Sequence, residues 1–207
     1  MKKILSPKLP AALEVVDFTT LEDNEAYQVE LKNQEIYLED RQLFSGCRLQ
    51  NINFELEVTA DLEFTDCIFE KCDFSNLVFS KFGFYRCIFK DCKLLGTEFT
   101  NAFLQDVQFQ DCLLNYVNFS SARLKNVLFA NNMMKESLFI ASQFKHVRFE
   151  GNDLELTNFW ETSLSGIDFS SNTFERLDVS PELAKNIKVN LSLGRFKTFY
   201  FKKVYQN

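Results

Sequence analysis

The chain has 207 residues, 46% of them apolar, with an aromatic content dominated by 24 Phe against one Trp and six Tyr. Three Pro and six Gly exclude collagen-like and linker-rich chains, and no apolar run approaches the ~18–20 residues of a membrane-spanning helix. A formal net charge of −6 argues against direct nucleic-acid binding, which needs Lys and Arg to neutralise phosphates.

In chain order, the start MKKILSPKLPAALEVVDF is basic but turns acidic after a short apolar stretch. That is a poor signal peptide and predicts a cytoplasmic chain. Residues 1–40 carry four basic and nine acidic groups. Within them, YQVELKNQEIYL holds the apolar pairs Val29/Leu31 and Ile36/Leu38, out of phase with the pattern that follows. The segment reads as an N-terminal cap or an irregular first coil, because a repeat array needs ends that stop edge-to-edge association.

Residues 41–181 repeat every five residues. With the central residue of each pentad called i, the 23 i positions from Phe64 to Phe174 are 16 Phe, six Leu and Met134. A helix places apolar residues at i, i+3, i+4 and i+7, and a strand alternates; a period of five fits neither. It fits a chain that turns a corner every five residues and brings i inside each time. Residues two apart in extended backbone share a face, so i−2 also points inward. Read in steps of 20, i−2 gives Cys47, Cys67, Cys87, Val107, Val127, Val147 on one face and Cys72, Cys92, Cys112, Asn132, Asn152, Asn172 on the next. Like stacks on like, which predicts four pentads per coil and about seven coils, a rod ~33 Å long at ~4.8 Å per coil. The Asn trio reads as an amide ladder bonded along the axis. The i+2 positions are rich in Asn, Asp and Gly, which tolerate the φ values of tight corners. The frame fails once, where Glu57 and Thr59 take inward slots.

The spacings CIFEKC and CIFKDC suggest metal or redox chemistry, yet all six cysteines fall at i−2, the slot where small, weakly polar residues pack. Reduced thiols are expected in a chain of this size without a signal peptide. His146 is the only histidine and sits at an i+2 corner, so His-based metal sites and Ser/His triads have no material, and no Gly-rich phosphate loop is present. No catalytic residue, cofactor or metal is expected, and no membrane partner. Ile140 and Trp160, both i+1 and 20 apart, stack on one face among the uncharged Ser80, Thr100 and Ser120. They form a candidate partner-binding patch; the plainer reading is that they cover neighbouring backbone. Residues 182–207 carry six basic and one acidic group, and the run FKTFYFKKVY alternates like a strand.

The five-residue beat resembles the pentapeptide-repeat family, whose loose motif is A(D/N)LXX and whose fold is an all-β, right-handed quadrilateral β-helix. The resemblance covers residues 41–181. It divides the chain into an N-terminal cap or irregular first coil (1–40), a pentapeptide-repeat β-helix (41–181) and a basic C-terminal tail (182–207). The Phe-dominated core, the Cys-bearing pentads and the VSPE at 179–182 resemble the family's Qnr and MfpA group, acidic rods that imitate DNA, bind type II DNA topoisomerases and protect them from quinolones. The resemblance therefore implies a non-enzymatic protein that binds DNA gyrase or topoisomerase IV. The alternative is a scaffold or binding module for another protein partner. Many members follow the VSPE-like stretch with an apolar helix that forms a C-terminal homodimer; here LSLGRFKTFYFKKVYQN follows instead. A DNA duplex carries one charge per ~1.7 Å, about 20 over 33 Å. Residues 41–181 carry −6, or −11 with the N-terminal segment, so mimicry requires that charge to be concentrated on one or two faces.

Overall fold

The computed structural model describes residues 3–21, 25–38, 41–56, 61–189 and 199–200. The first strands are β1 (Glu14–Val16), β2 (Glu25–Tyr27), β3 (Val29–Leu38), β4 (Arg41–Ser45), β5 (Arg48–Leu56), β6 (Asp61–Thr65), β7 (Ile68–Glu70) and β8 (Gly83–Tyr85). They continue as β9 (Ile88–Lys90), β10 (Phe103–Gln110), β11 (Arg123–Ala130), β12 (Gln143–Lys145), β13 (Arg148–Glu150), β14 (Thr157–Phe159), β15 (Leu177–Val179) and β16 (Phe199–Tyr200). Their ladders are parallel, and from β4 to β15 they join residues 20 apart, as in Phe44 opposite Phe64, Phe69 opposite Phe89 and Phe109 opposite Phe129. Two faces of each coil pair as strands, and the other two through single parallel bridges such as Asp73 with Lys93 and Glu98 with Asn118. The result is the expected four-sided β-helix of about seven turns.

The i side chains fill the interior. Phe69, Phe89, Phe109 and Phe129 stack with ring centroids 4.6, 4.7 and 5.1 Å apart, close to the ~4.7–4.9 Å between strands. Rings of adjacent faces meet edge to face, as Phe109 meets Phe119 at 72°. Each ring thus has stacked neighbours along the axis and perpendicular ones across it, both favoured by the aromatic quadrupole.

Corners and inward slots show what each pentad position must do. From Asp66 to Gly166 every i+2 residue has φ between 52° and 76°, including Lys71, Tyr116, Ala141 and Leu156. Corner geometry is therefore imposed by the coil even where the residue does not favour it. The i−2 side chains serve as donors as well as filler. The thiols of Cys67, Cys72, Cys87, Cys92 and Cys112 each lie 3.3–3.5 Å from the carbonyl of the residue 23 positions earlier. Thr97, Ser137 and Thr157 bond the equivalent carbonyls at 2.8–3.0 Å, and Asn132, Asn152 and Asn172 do so at 2.8–3.1 Å. Cys, Thr, Ser and Asn are thus interchangeable donors in one slot. The three Asn also form the expected ladder: Asn132 donates from its backbone and side-chain nitrogens to Asn152 Oδ1, and Asn152 does the same to Asn172 Oδ1, all at 2.9 Å.

The first coils are shorter. Glu14 pairs with Val29 and Glu30 with Arg48, steps of 15 and 18 residues. Allowing the second step brings Leu31 and Ile36 opposite Leu49 and Phe54, and both are buried. Their phase shift is a coil two residues short. Glu57, Thr59, most of the basic tail and the part in which a C-terminal homodimer would form lie outside the described residues.

Candidate interaction surface

Because i and i−2 point inward, each face presents i−1 and i+1 to solvent, and i+2 residues line the edges. On the face centred on Phe79, Phe99, Phe119, Phe139 and Phe159, single bridges run Val78–Glu98–Asn118–Leu138–Asn158. This register sets Ile140 beside Trp160 on neighbouring coils, with the Ala141 N–H donating to the Trp160 carbonyl at 2.8 Å and the Ser121 N–H to that of Ile140 at 2.8 Å. Both side chains are half-buried. Between Glu98 and Glu161 this face contains no charged residue; its outward side chains include Thr100, Ser120, Leu138, Ile140, Asn158 and Trp160. Asn118 and Asn158 each accept from the N–H two residues on, at 2.9 Å, which fixes the backbone carrying Ser120 and Trp160. Sequence spacing located Ile140 and Trp160; the breadth of the uncharged face emerges only once the coil is closed.

Charge is dispersed over the other faces. Over residues 62–181 the face centred on Phe64 and Phe84 holds three acidic and four basic residues, and those centred on Phe69 and Phe74 each hold five acidic and three basic. The uncharged face holds three acidic and one basic, at its ends. None reaches more than −2, far below a duplex at one charge per ~1.7 Å.

The six cysteines are free and buried. Burial, together with neighbouring thiols, raises the pKa of Cys67; burial does the same for Cys92, and a hydrogen bond from Cys92 followed by burial raises that of Cys112. Cys47, at the end of its column, is held low by the thiol of Cys67, yet no part of it reaches solvent. Among the described residues no group of three His, Cys, Asp or Glu is placed to hold a metal ion. His146 is exposed at its corner.

Nothing in the five-residue pattern signals an opening beside His146. A cleft of about 480 Å³ separates the coil at 142–151 from that at 162–171, lined by Phe144, His146, Val147, Arg148, Ile167 and Asp168 among others. Elsewhere on this corner each N–H reaches the next coil, as Asp66 to Tyr85 and Arg86 to Gln105, both at 2.9 Å. The coil at 162–171 bonds onward in the same way, Leu164, Gly166 and Phe169 donating to the carbonyls of Leu183, Lys185 and Lys188, but among the described residues the His146 N–H makes no corresponding bond into it.

A family model described as "Pentapeptide repeat region" matches residues 62–139. Among solved structures, the chain is similar to HetL, a pentapeptide repeat protein involved in heterocyst differentiation regulation from the cyanobacterium Nostoc sp. strain PCC 7120. The identity is 15% over 75% of this chain and 71% of that one, with a TM-score of 0.38. Full-length QnrB1, a plasmid-mediated fluoroquinolone resistance protein, is 16% identical over 84% of this chain and 90% of its own, with a TM-score of 0.32. A pentapeptide repeat protein of the Arabidopsis thaliana thylakoid lumen is 21% identical over 39% of this chain and 60% of its own, with a TM-score of 0.21. No curated protein sequence matches the chain significantly.

Proposed function

Starting from a chain that is a pentapeptide-repeat β-helix, we propose that it is a non-enzymatic interaction protein whose working surface is the uncharged face bearing Ile140 and Trp160. One observation carries the reading: an unbroken uncharged face between Glu98 and Glu161 on an otherwise charge-studded rod, with Ile140 and Trp160 in register on neighbouring coils. Depletion of charge around aromatic and aliphatic anchors is the composition of an interface centre. The partner class that the Qnr-like features of the sequence point to is DNA gyrase or topoisomerase IV, with protection from quinolones as the outcome. The dispersal of charge favours apolar docking over DNA mimicry as the mode of engagement. The second reading, a scaffold for another protein partner, uses the same face.

A supercoiling assay with purified gyrase, with and without a quinolone, tests the partner. The wild-type chain is expected to change inhibition or protection, and the folded Ile140→Glu/Trp160→Ala variant to lose the effect at least tenfold. No effect of the wild type at any excess eliminates the topoisomerase partner. An effect that survives the double substitution moves the working surface elsewhere.

A further inference from the structure

Residues 3–13 take no part in the coils. They run outside the rod, along the corner formed by Asp66, Arg86, Asp106 and Asn126, in the direction opposite to the chain's progress. The Lys8 N–H donates to Asp66 Oδ1 at 2.9 Å and the Leu5 N–H to Asp106 Oδ1 at 3.2 Å, while Ile4 is buried. The spacing is physical: three extended residues span ~10 Å, the height of two coils at ~4.8 Å, so N–H groups three apart meet carboxylates two coils apart. The corner is a constructed site. Asp106 and Asn126 are 2% and 3% exposed, and Asn126 Nδ2 donates to Asp106 Oδ1 at 3.0 Å. Arg86 grips Asp66 through two bonds of 2.7 and 2.8 Å. The Oδ1 of Asn126, buried in the same column, has no hydrogen-bond partner.

We propose that this corner is a peptide-binding track, filled in cis by the arm, and that its ligand in trans is an extended partner segment of the arm's own chemistry. That segment carries an aliphatic residue, an N–H on the next residue and another three further on, a lysine at that point to complement Asp66, and prolines where no donor is needed. Pro7 and Pro10 occupy such positions in the arm, and proline lowers the entropy lost on binding an extended chain. The arm is a displaceable occupant. Two backbone bonds and Ile4 hold it, exposed Ala11 and Ala12 join it to the body, and the Asn126 acceptor goes unused. A segment that donates to Asn126 as well as to both carboxylates binds better than the arm does.

The test uses the full chain with a protease site inserted after Ala12, cut in the folded protein, and a fluorescent peptide of sequence KKILSPKLPAA as probe. Nicked protein is expected to take up the peptide at least tenfold more tightly than uncut protein, since the cut removes the tethered competitor. Asp66→Asn/Asp106→Asn, or N-methylation of the peptide amide equivalent to Leu5, is expected to lower uptake at least tenfold. Where the cut arm stays bound, exchange of labelled for unlabelled peptide over hours gives the same reading. Nicked protein that remains folded but takes up no more probe than uncut protein overturns the proposal, as does equal binding of the N-methylated peptide. Dimerisation by arm exchange between copies, without uptake of free peptide, overturns it too.

Discussion

Leu156 occupies a corner with φ 59° and leaves its side chain in solvent. A residue with a Cβ gives up ~1–2 kcal/mol in this region, whereas Asn recovers part of that through local hydrogen bonding. Leu156→Asn is therefore expected to stabilise the chain by about 0.5–1 kcal/mol in a denaturant melt, and a loss of stability would show that corner strain is not what Leu156 contributes. The inward Asn ladder is the opposite case. Asn152 Oδ1 accepts from two nitrogens of Asn132, and its Nδ2 donates to the Phe129 carbonyl. Asn152→Ala leaves these buried groups unpaired and should cost about 3 kcal/mol. A loss under about 1 kcal/mol would mean that water or relaxation replaces the ladder.

At the scale of elements, the columns were legible because a five-residue coil with 20-residue stacking writes the same side-chain type on the same face. Phe stacks, the Asn ladder and the Cys columns all followed from that arithmetic. The phase shift of Val29/Leu31 and Ile36/Leu38 was legible, but not its cause, a coil two residues short, since that shows only when the strands are paired. The arm was equally silent, because main-chain N–H groups recognise carboxylates without any side-chain signature. Two predictions belong here. The cysteine columns should resist a thiol reagent at neutral pH until the rod unfolds, because burial keeps all six from solvent and raises Cys67, Cys92 and Cys112. Fast labelling of any one in the native chain would place that column in an open coil. The arm is expected to depend on acid. Burial pushes the Asp66 carboxyl up, but Arg86 and the Lys8 N–H outweigh it and hold the group below its ordinary 3.8. A carboxyl lowered by folding adds stability above its unfolded value and loses it as pH falls through the folded one. The difference in melting temperature between wild type and Asp66→Asn should thus be present at pH 7 and vanish well below pH 4. A difference that persists there would assign the effect to packing.

The whole molecule behaves as a stack in which each coil answers mainly to its neighbours, so its stability is a sum of coil interfaces and not of one core. Most interfaces are closed on all four sides. The exception is the cleft beside His146: residues 172–181 stay joined to the body by bridges such as Asp153 with Thr173 and by the β14–β15 ladder, while residues 163–171 stand off from 144–150 across the cleft and bond onward through Leu164, Gly166 and Phe169. The missing interface on two faces weakens the coupling between the body and the last coils. Residues 162–189 should then open as a separate unit at lower free energy than residues 62–141. Hydrogen exchange followed by mass spectrometry is expected to show amides of the last coils exchanging at least tenfold faster than those of the body, with the step falling between 151 and 162. A denaturant series should release the same segment before the Phe column from Phe69 to Phe149. Uniform protection along the rod would show that the cleft closes in solution and that the stack unfolds as one body. The uncharged face is carried across that step: Ile140 lies on the body side and Trp160 at the threshold. A partner that grips both would couple the last coils to the rest, so binding should slow exchange in 162–189 more than in the body.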